Sequence, residues 1–214
     1  MENTENLKAV ELFNKLADSY QQRFFSVDAY QPDLDKFLNQ IKPDSTVLDV
    51  ACGPGNISHY LLKKRPDLNL LGVDLAPNMI SLAQKNNPNA HFQVYDALKL
   101  DALNRSFDAV IVGFLFPYLS KEQVLGFLQH VHQVLNQEGI LYLSTMEDVY
   151  ENSRLRSSSN GEQVMMHYYE SSFLSQTLEN LGFEVLSVRT QDYVISENET
   201  DTDLIIIAKK RNQF

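Results

Sequence analysis

Val47-Leu-Asp-Val-Ala-Cys-Gly-Pro-Gly-Asn56 is an apolar strand that runs into an acid and then into a glycine-rich turn. The acid decides how the stretch is read. A turn built to cradle phosphates offers bare backbone N–H groups and keeps anions away. Asp49, at the strand end, puts a carboxylate just ahead of Gly53 and Gly55. The turn therefore suits a ligand that carries positive charge, and its glycines let the backbone approach that ligand closely.

Outward from this turn, strand and helix periods alternate. Strands are expected at 46–50, 69–73, 91–95, 107–114 and 140–145, and helices at 57–64, 77–85 and 121–135. Pro77 suits the first turn of its helix. Ala109-Val-Ile-Val112 is apolar throughout, which implies a strand covered on both faces, as in a parallel sheet flanked by helices. The alternation gives an α/β, doubly wound domain with its ligand site beyond the carboxyl ends of the strands. Ahead of it, helices are expected at 7–19 and 33–41, separated by an aromatic-rich stretch, 20–30. Behind it, 147–162 is polar with a serine-rich centre at 157–161 and reads as a flexible loop. A helix at 171–181, closed by Gly182, precedes strands at 183–195 and 204–209. The connector between those strands, 196–203, is too short for a crossover helix, so the last pair forms an antiparallel hairpin. The chain reads as one domain in three parts: a helical lid (1–40), a cofactor-binding core (41–146) and an acceptor-side loop, helix and hairpin (147–214).

A chain of 214 residues can bury a full core. Its formal net charge of −10 repels polyphosphate backbones, and its basic clusters, Lys63-Lys64-Arg65 and Lys209-Lys210-Arg211, are short. No nucleic-acid partner is expected. Cys52 is the only cysteine, which excludes an internal disulfide and suits a reducing compartment. The N-terminus is polar and acidic rather than signal-like, and no apolar run reaches bilayer length. The expectation is a cytoplasmic protein without a membrane partner. His130 and His132 lie on an amphipathic helix with no ligand pattern around them, so no metal is expected.

Three acids, Asp49, Asp74 and Asp96, end the first three strands. Asp49 can receive an ammonium group. Asp74 stands at the spacing where a strand-end acid takes ribose hydroxyls in nucleotide folds. Asp96 can accept an adenine amine, with the Ala97 N–H facing a ring nitrogen. Any one of them alone could equally be a turn or helix-capping residue. Three in register with three strand ends and a glycine turn favour a ligand. A nucleoside that also carries positive charge answers to S-adenosylmethionine, with its ammonium and sulfonium groups.

The run 47–55 resembles motif I of class I S-adenosylmethionine-dependent methyltransferases, in which an acid precedes a three-glycine turn. Ala51 stands where the first glycine is usual, a mild departure unless its φ is positive. Leu71-Gly-Val-Asp-Leu-Ala-Pro-Asn-Met79 is similar to the second motif, and Val94-Tyr-Asp-Ala97 resembles the third. The segments 107–112, 121–135 and 139–144 resemble the fourth and fifth strand units, and 168–188 resembles the final helix and strand. The resemblance implies a Rossmann-like, doubly wound, seven-stranded sheet, mostly parallel, with an antiparallel last strand. It implies methyl transfer from S-adenosylmethionine, with a cofactor wall drawn from Tyr20, Asp49, Ala51, Gly53, Gly55, Asp74, Leu75, Met79, Asp96, Ala97 and Phe114. Leu75 and Met79 would pack near the adenine, and Tyr20 would reach the cofactor's carboxylate from the lid or simply pack the lid down.

Acceptor contacts are expected from the segments bordering the strand ends, 20–30, 114–118 and 165–169. Phe24, Phe25, Tyr118, Tyr168 and Tyr169 are the candidate lining. His167 is the candidate general base, with an ordinary loop histidine as the simpler reading. Phe116-Pro-Tyr118 lacks the polar residue and paired proline of the amino-methyltransferases that act on nucleic-acid bases, which favours a small-molecule acceptor. Two other readings compete. A nucleotide-dependent oxidoreductase is disfavoured by Ser58 at the third glycine position and by Asp49 facing a pyrophosphate. A non-catalytic binding module on the same fold is the other. Acceptor identity and oligomeric state are left open.

Overall fold

The computed structural model describes residues 2–157, 161–196 and 199–212. Its frame is a seven-stranded sheet in the order β3-β2-β1-β4-β5-β9-β8. Strands β1 (Thr46–Val50), β2 (Asn69–Asp74), β3 (His91–Val94), β4 (Phe107–Gly113) and β5 (Leu135–Glu147) run parallel. A separate hairpin, β6 (Arg154–Ser157) and β7 (Gln163–Met166), follows β5. Strand β9 (Glu199–Lys210) lies antiparallel between β5 and β8 (Phe183–Ser196), which gives the expected terminal hairpin and the antiparallel last strand.

Alternate residues of the central strands feed opposite core layers. Leu48, Val50, Val110 and Val112 pack with α6 (Lys121–Val134) and α7 (Ser171–Asn180). Val47, Ala109 and Ile111 pack on the other face with α3 (Gln31–Leu38) and α4 (Asn56–Lys64). A capping box between Ser120 and Gln123 starts α6. The buried Lys210 ammonium closes the other end, donating to the carbonyls of His132 (2.6 Å) and Leu135 (2.7 Å), where the helix dipole favours a cation. Val50 pairs with both Val73 and Val112, so the carboxyl ends of β1, β2 and β4 come to one level. The strand order reverses between β1 and β4, and a crevice opens there.

Two expectations change. The polar segment 147–162 holds a turn at Tyr150–Asn152 and strand β6, which pairs with β7 just beyond it, rather than a plain loop. The Arg156 side chain, paired with buried Asp201 and with Tyr168, pins this hairpin to the body of the protein. The serine-rich centre at 158–160 lies outside the described residues. At the other end of the chain, helix α1 (Glu2–Lys15) breaks at Leu16 and continues as α2 (Ala17–Phe24), so the aromatic stretch begins as helix. Helix α3, which falls within the 1–40 segment, does not act as lid: Leu34 and Phe37 are fully buried against the sheet. The part that reaches over the crevice, where a lid was expected, is α1 and α2. Val10, Phe13 and Tyr20 pack around Ala17, Ala76 and Met79, the last two belonging to α5 (Pro77–Asn86) and the residue before it. Asn14 fastens this lid, accepting from the Asn78 N–H (2.8 Å) while its own carbonyl takes the Asn78 amide (2.8 Å). No helix among the described residues is long and apolar enough to cross a membrane.

Candidate functional site

The glycine turn closes on itself through Cys52 N–H to Val73 O (3.0 Å) and Gly55 N–H to Cys52 O (2.9 Å). To make the turn, Ala51, Gly53 and Gly55 all adopt positive φ, +54°, +53° and +75°. Ala51 therefore sits in the left-handed region that its missing glycine would have entered freely. The Gly53 N–H donates to Asp74 Oδ2 (2.9 Å), and the Ala76 N–H donates to Asp74 Oδ1 (2.8 Å). These bonds hold the Asp74 carboxylate at the lip of the crevice. Burial raises its pKa, against the pull of those N–H donors. Each carboxylate oxygen retains acceptor capacity, so the group can take two hydroxyls at once.

Asp49 behaves differently from expectation. It is 1% exposed and accepts from the Ser58 hydroxyl at 2.6 Å, beneath the turn rather than in the crevice. Ser58 in the first turn of α4 captures the side chain, so Asp49 braces helix to strand and touches no ligand space. Burial pushes its pKa up to about 7, the Ser58 bond lowering it and the Asp74 charge raising it. Gly55 is likewise structural. It caps α4, and a Cβ there would lie 2.6 Å from Asn87 Nδ2. The third glycine thus serves close packing on α5.

A cavity of about 190 Å³ opens above the turn. Its walls include Tyr20, Ala51, Gly53, Asp74, Leu75, Met79, Asp96, Ala97, Phe114 and Tyr118. These are expected residues, brought together by four strand ends and the lid. Asp96 caps the following 3-10 helix, accepting from the Leu98 N–H (3.0 Å), and it also lines the cavity. Lys99 pairs with its other oxygen at 3.3 Å. Phe114 holds a positive φ of +52°, with its N–H on the Ser144 carbonyl (2.9 Å). Non-glycine residues at such angles concentrate at binding sites, where the surrounding structure enforces the strain. The Tyr20 hydroxyl keeps its proton, its pKa pushed up to about 12 by burial and by the Asp74 charge.

Helix α1 roofs this cavity with Asn6, Leu7, Ala9, Val10 and Phe13, which the sequence reading did not place there. Their signal was present: Asn6, Ala9, Val10 and Phe13 share one helix face at spacings of three and four. The Phe13 ring meets Tyr20 edge-on at 5.6 Å and Tyr118 edge-on at 5.0 Å. Phe24 and Phe25 fall outside the cavity. Phe24 packs behind the Tyr20 ring (4.9 Å) and Phe25 against His59 (5.4 Å), because α2 turns both away from the crevice.

A second cavity, about 200 Å³, adjoins the first and shares Asn6, Ala9 and Tyr118 with it. Ser120, Gln123, Tyr150, Met165 and His167 complete its lining. The His167 ring stacks on Tyr150, 5.5 Å between centroids and 9° from parallel, and its backbone N–H donates to the Pro117 carbonyl (2.8 Å). Tyr168 and Tyr169 are corrections. They are 2% and 0% exposed and belong to the core, with the Tyr169 hydroxyl donating to the Leu119 carbonyl and Arg154 lying over the Tyr168 ring. The chain dives inward after β7, where the Tyr169 N–H reaches the Met146 carbonyl (3.1 Å). Among the described residues no group of three or more His, Cys, Asp or Glu could hold a metal ion.

Residues 47–139 match the model of a methyltransferase domain. The chain is 31% identical over 140 residues to a demethylmenaquinone methyltransferase of Thermotoga maritima, covering 63% of this chain and 60% of that protein. It is 24% identical over 238 residues to a ubiquinone/menaquinone biosynthesis C-methyltransferase of Campylobacter jejuni, covering 95% and 97%. The match spans 38% to 60% of the length of the first three relatives. Among solved structures, a 1,6-didemethyltoxoflavin N1-methyltransferase of Burkholderia thailandensis superposes with a TM-score of 0.75 at 17% identity, over 99% of this chain and 91% of that one. Through the strand, turn and acids that build the first cavity, the chain matches a methyltransferase-domain model, and its fold is similar to that of the toxoflavin enzyme.

Proposed function

We propose that the protein is a cytoplasmic enzyme that transfers a methyl group from S-adenosylmethionine to a small molecule. The observation that carries this reading is Asp74. Its carboxylate is fixed by Gly53 and Ala76 N–H groups at the mouth of an otherwise largely apolar cavity.

The residues fit the cofactor. Asp74 would take the two ribose hydroxyls, each a charge-assisted bond contributing about 1.5–3 kcal/mol. Leu75, Met79 and Leu98 offer apolar surface to the adenine, with Asp96 and the Ala97 N–H at its polar edge. Tyr20, protonated across the working pH range, can donate to the cofactor's carboxylate. With Asp49 beneath the turn, the ammonium group falls to the polar backbone around Ala51 and Gly53 rather than to a direct carboxylate. When bound, S-adenosylmethionine supplies an electrophilic methyl on a sulfonium. The chain's own part is to position the acceptor and exclude water, and α1 roofs both cavities to that end. Tyr118 lies in the wall common to both cavities. In the second cavity His167 is the residue suited to take an acceptor's proton.

The −10 net charge and the small second cavity favour a small-molecule acceptor over a nucleic acid. Incubation with methyl-labelled S-adenosylmethionine and a metabolite extract, followed by mass spectrometry, is expected to yield one labelled small product. Label found only on nucleic acid, or no transfer from a cofactor that binds, would overturn the reading.

A further inference from the structure

The second cavity is selective in a way its chemistry makes explicit. None of its lining residues is Asp, Glu, Lys or Arg. Four charges on neighbouring elements are engaged elsewhere. Lys121 holds its ammonium over the Tyr150 and Phe173 rings, at 4.7 and 4.6 Å. Arg156 is paired with Asp201, Glu162 with Lys15, and Glu147 accepts from the Ser171 N–H. An ionic ligand would find no carboxylate, ammonium or guanidinium in the lining to offset the desolvation cost of burying its charge.

What the walls do offer is aromatic surface and donors. Tyr150 and His167 lie parallel, Tyr118 closes another side, and the Met165 sulfur is the kind of soft atom that packs on rings. The capping box uses the Gln123 carbonyl on the Ser120 N–H (2.9 Å) and a Ser120 lone pair on the Gln123 N–H (3.4 Å). The groups left on that pair are donors, an amide NH₂ and a hydroxyl. They call for an oxygen acceptor on the ligand.

We infer that the second cavity binds an uncharged aromatic molecule bearing a hydroxyl or carbonyl oxygen. This inference rests on the methyltransferase reading only in naming that molecule the methyl acceptor; the cavity's selectivity stands on its own lining.

The test is a saturation-transfer NMR titration of the full chain with phenol, benzoate, benzylammonium and cyclohexanol, run with and without saturating S-adenosylhomocysteine. Phenol is expected to bind saturably. Benzoate, benzylammonium and cyclohexanol should each be at least about tenfold weaker. Met165→Glu, which places a charge in the lining, and Tyr150→Leu, which removes a ring face, should each weaken phenol at least about tenfold, with thermal melts confirming the fold. Equal or tighter binding of any of the other three probes, or unchanged phenol affinity in both variants, would overturn the inference. A wild-type protein that takes phenol but not S-adenosylhomocysteine would keep this inference and sink the cofactor reading. The reverse result would do the opposite.

Discussion

Beneath the turn, the Asp49 carboxyl is held out of water with a pKa of about 7, mainly through burial, so its ionisation opposes folding. Because the folded pKa lies above the unfolded value, the native state binds this proton more tightly. The stability it gives at low pH is lost as pH rises from about 4 to about 7. Asp49→Asn keeps an acceptor for Ser58 and should flatten that part of the stability profile, by up to about 4 kcal/mol, in urea unfolding across the range. An unchanged slope would show that Asp49 does not titrate there. Ala51 makes the complementary case. Its positive φ costs about 1–2 kcal/mol, and the looser unfolded chain of a glycine variant returns about 0.4–1 kcal/mol. Ala51→Gly is therefore expected to raise stability by up to about 1 kcal/mol, and a clear loss would contradict the left-handed backbone at this position. The sequence showed that the turn was imperfect at Ala51 and that an acid preceded it. It could not show which way the Asp49 side chain turns, because that is decided by Ser58 from the next element.

At the scale of elements, the helices and central strands were legible because their apolar positions recur with the period of the element that buries them. The β6–β7 hairpin was not. Its strands are only four residues each and none of their residues is fully buried, and it is held by Arg156 reaching Asp201 far along the chain. The lid was legible as a helix but not as a roof. Its Asn6–Ala9–Phe13 face is ordinary until the fold places it over two cavities. Phe13 joins the lid to Tyr20 and Tyr118, so Phe13→Ala should loosen α1. Limited trypsin digestion followed by mass spectrometry should then show cleavage after Lys8 and Lys15 accelerating several-fold, and S-adenosylhomocysteine should slow it again in the wild type. Cleavage rates indifferent to both would mean that α1 does not close over the ligand.

For the whole molecule, one level of strand ends does most of the work. Parallel β1, β2 and β4 finish together, the order reverses between β1 and β4, and Asp74, Asp96 and Phe114 all face the crevice that results. This convergence was readable from strand spacing and strand-end acids, since a parallel sheet delivers them to one edge. The acceptor side was read less well. Tyr118 and His167 are placed at the second cavity, whereas Tyr168, Tyr169, Phe24 and Phe25 pack into or against the body, as aromatic residues do when nothing local distinguishes a wall from a core. The central claim is that Asp74 anchors a nucleoside in the first cavity. Isothermal titration calorimetry with S-adenosylhomocysteine tests it most directly. The expected result is one saturable site in the wild type, weakened about ten- to a hundredfold in a folded Asp74→Ala variant. No binding to the wild type, or equal affinity in the variant, would contradict it.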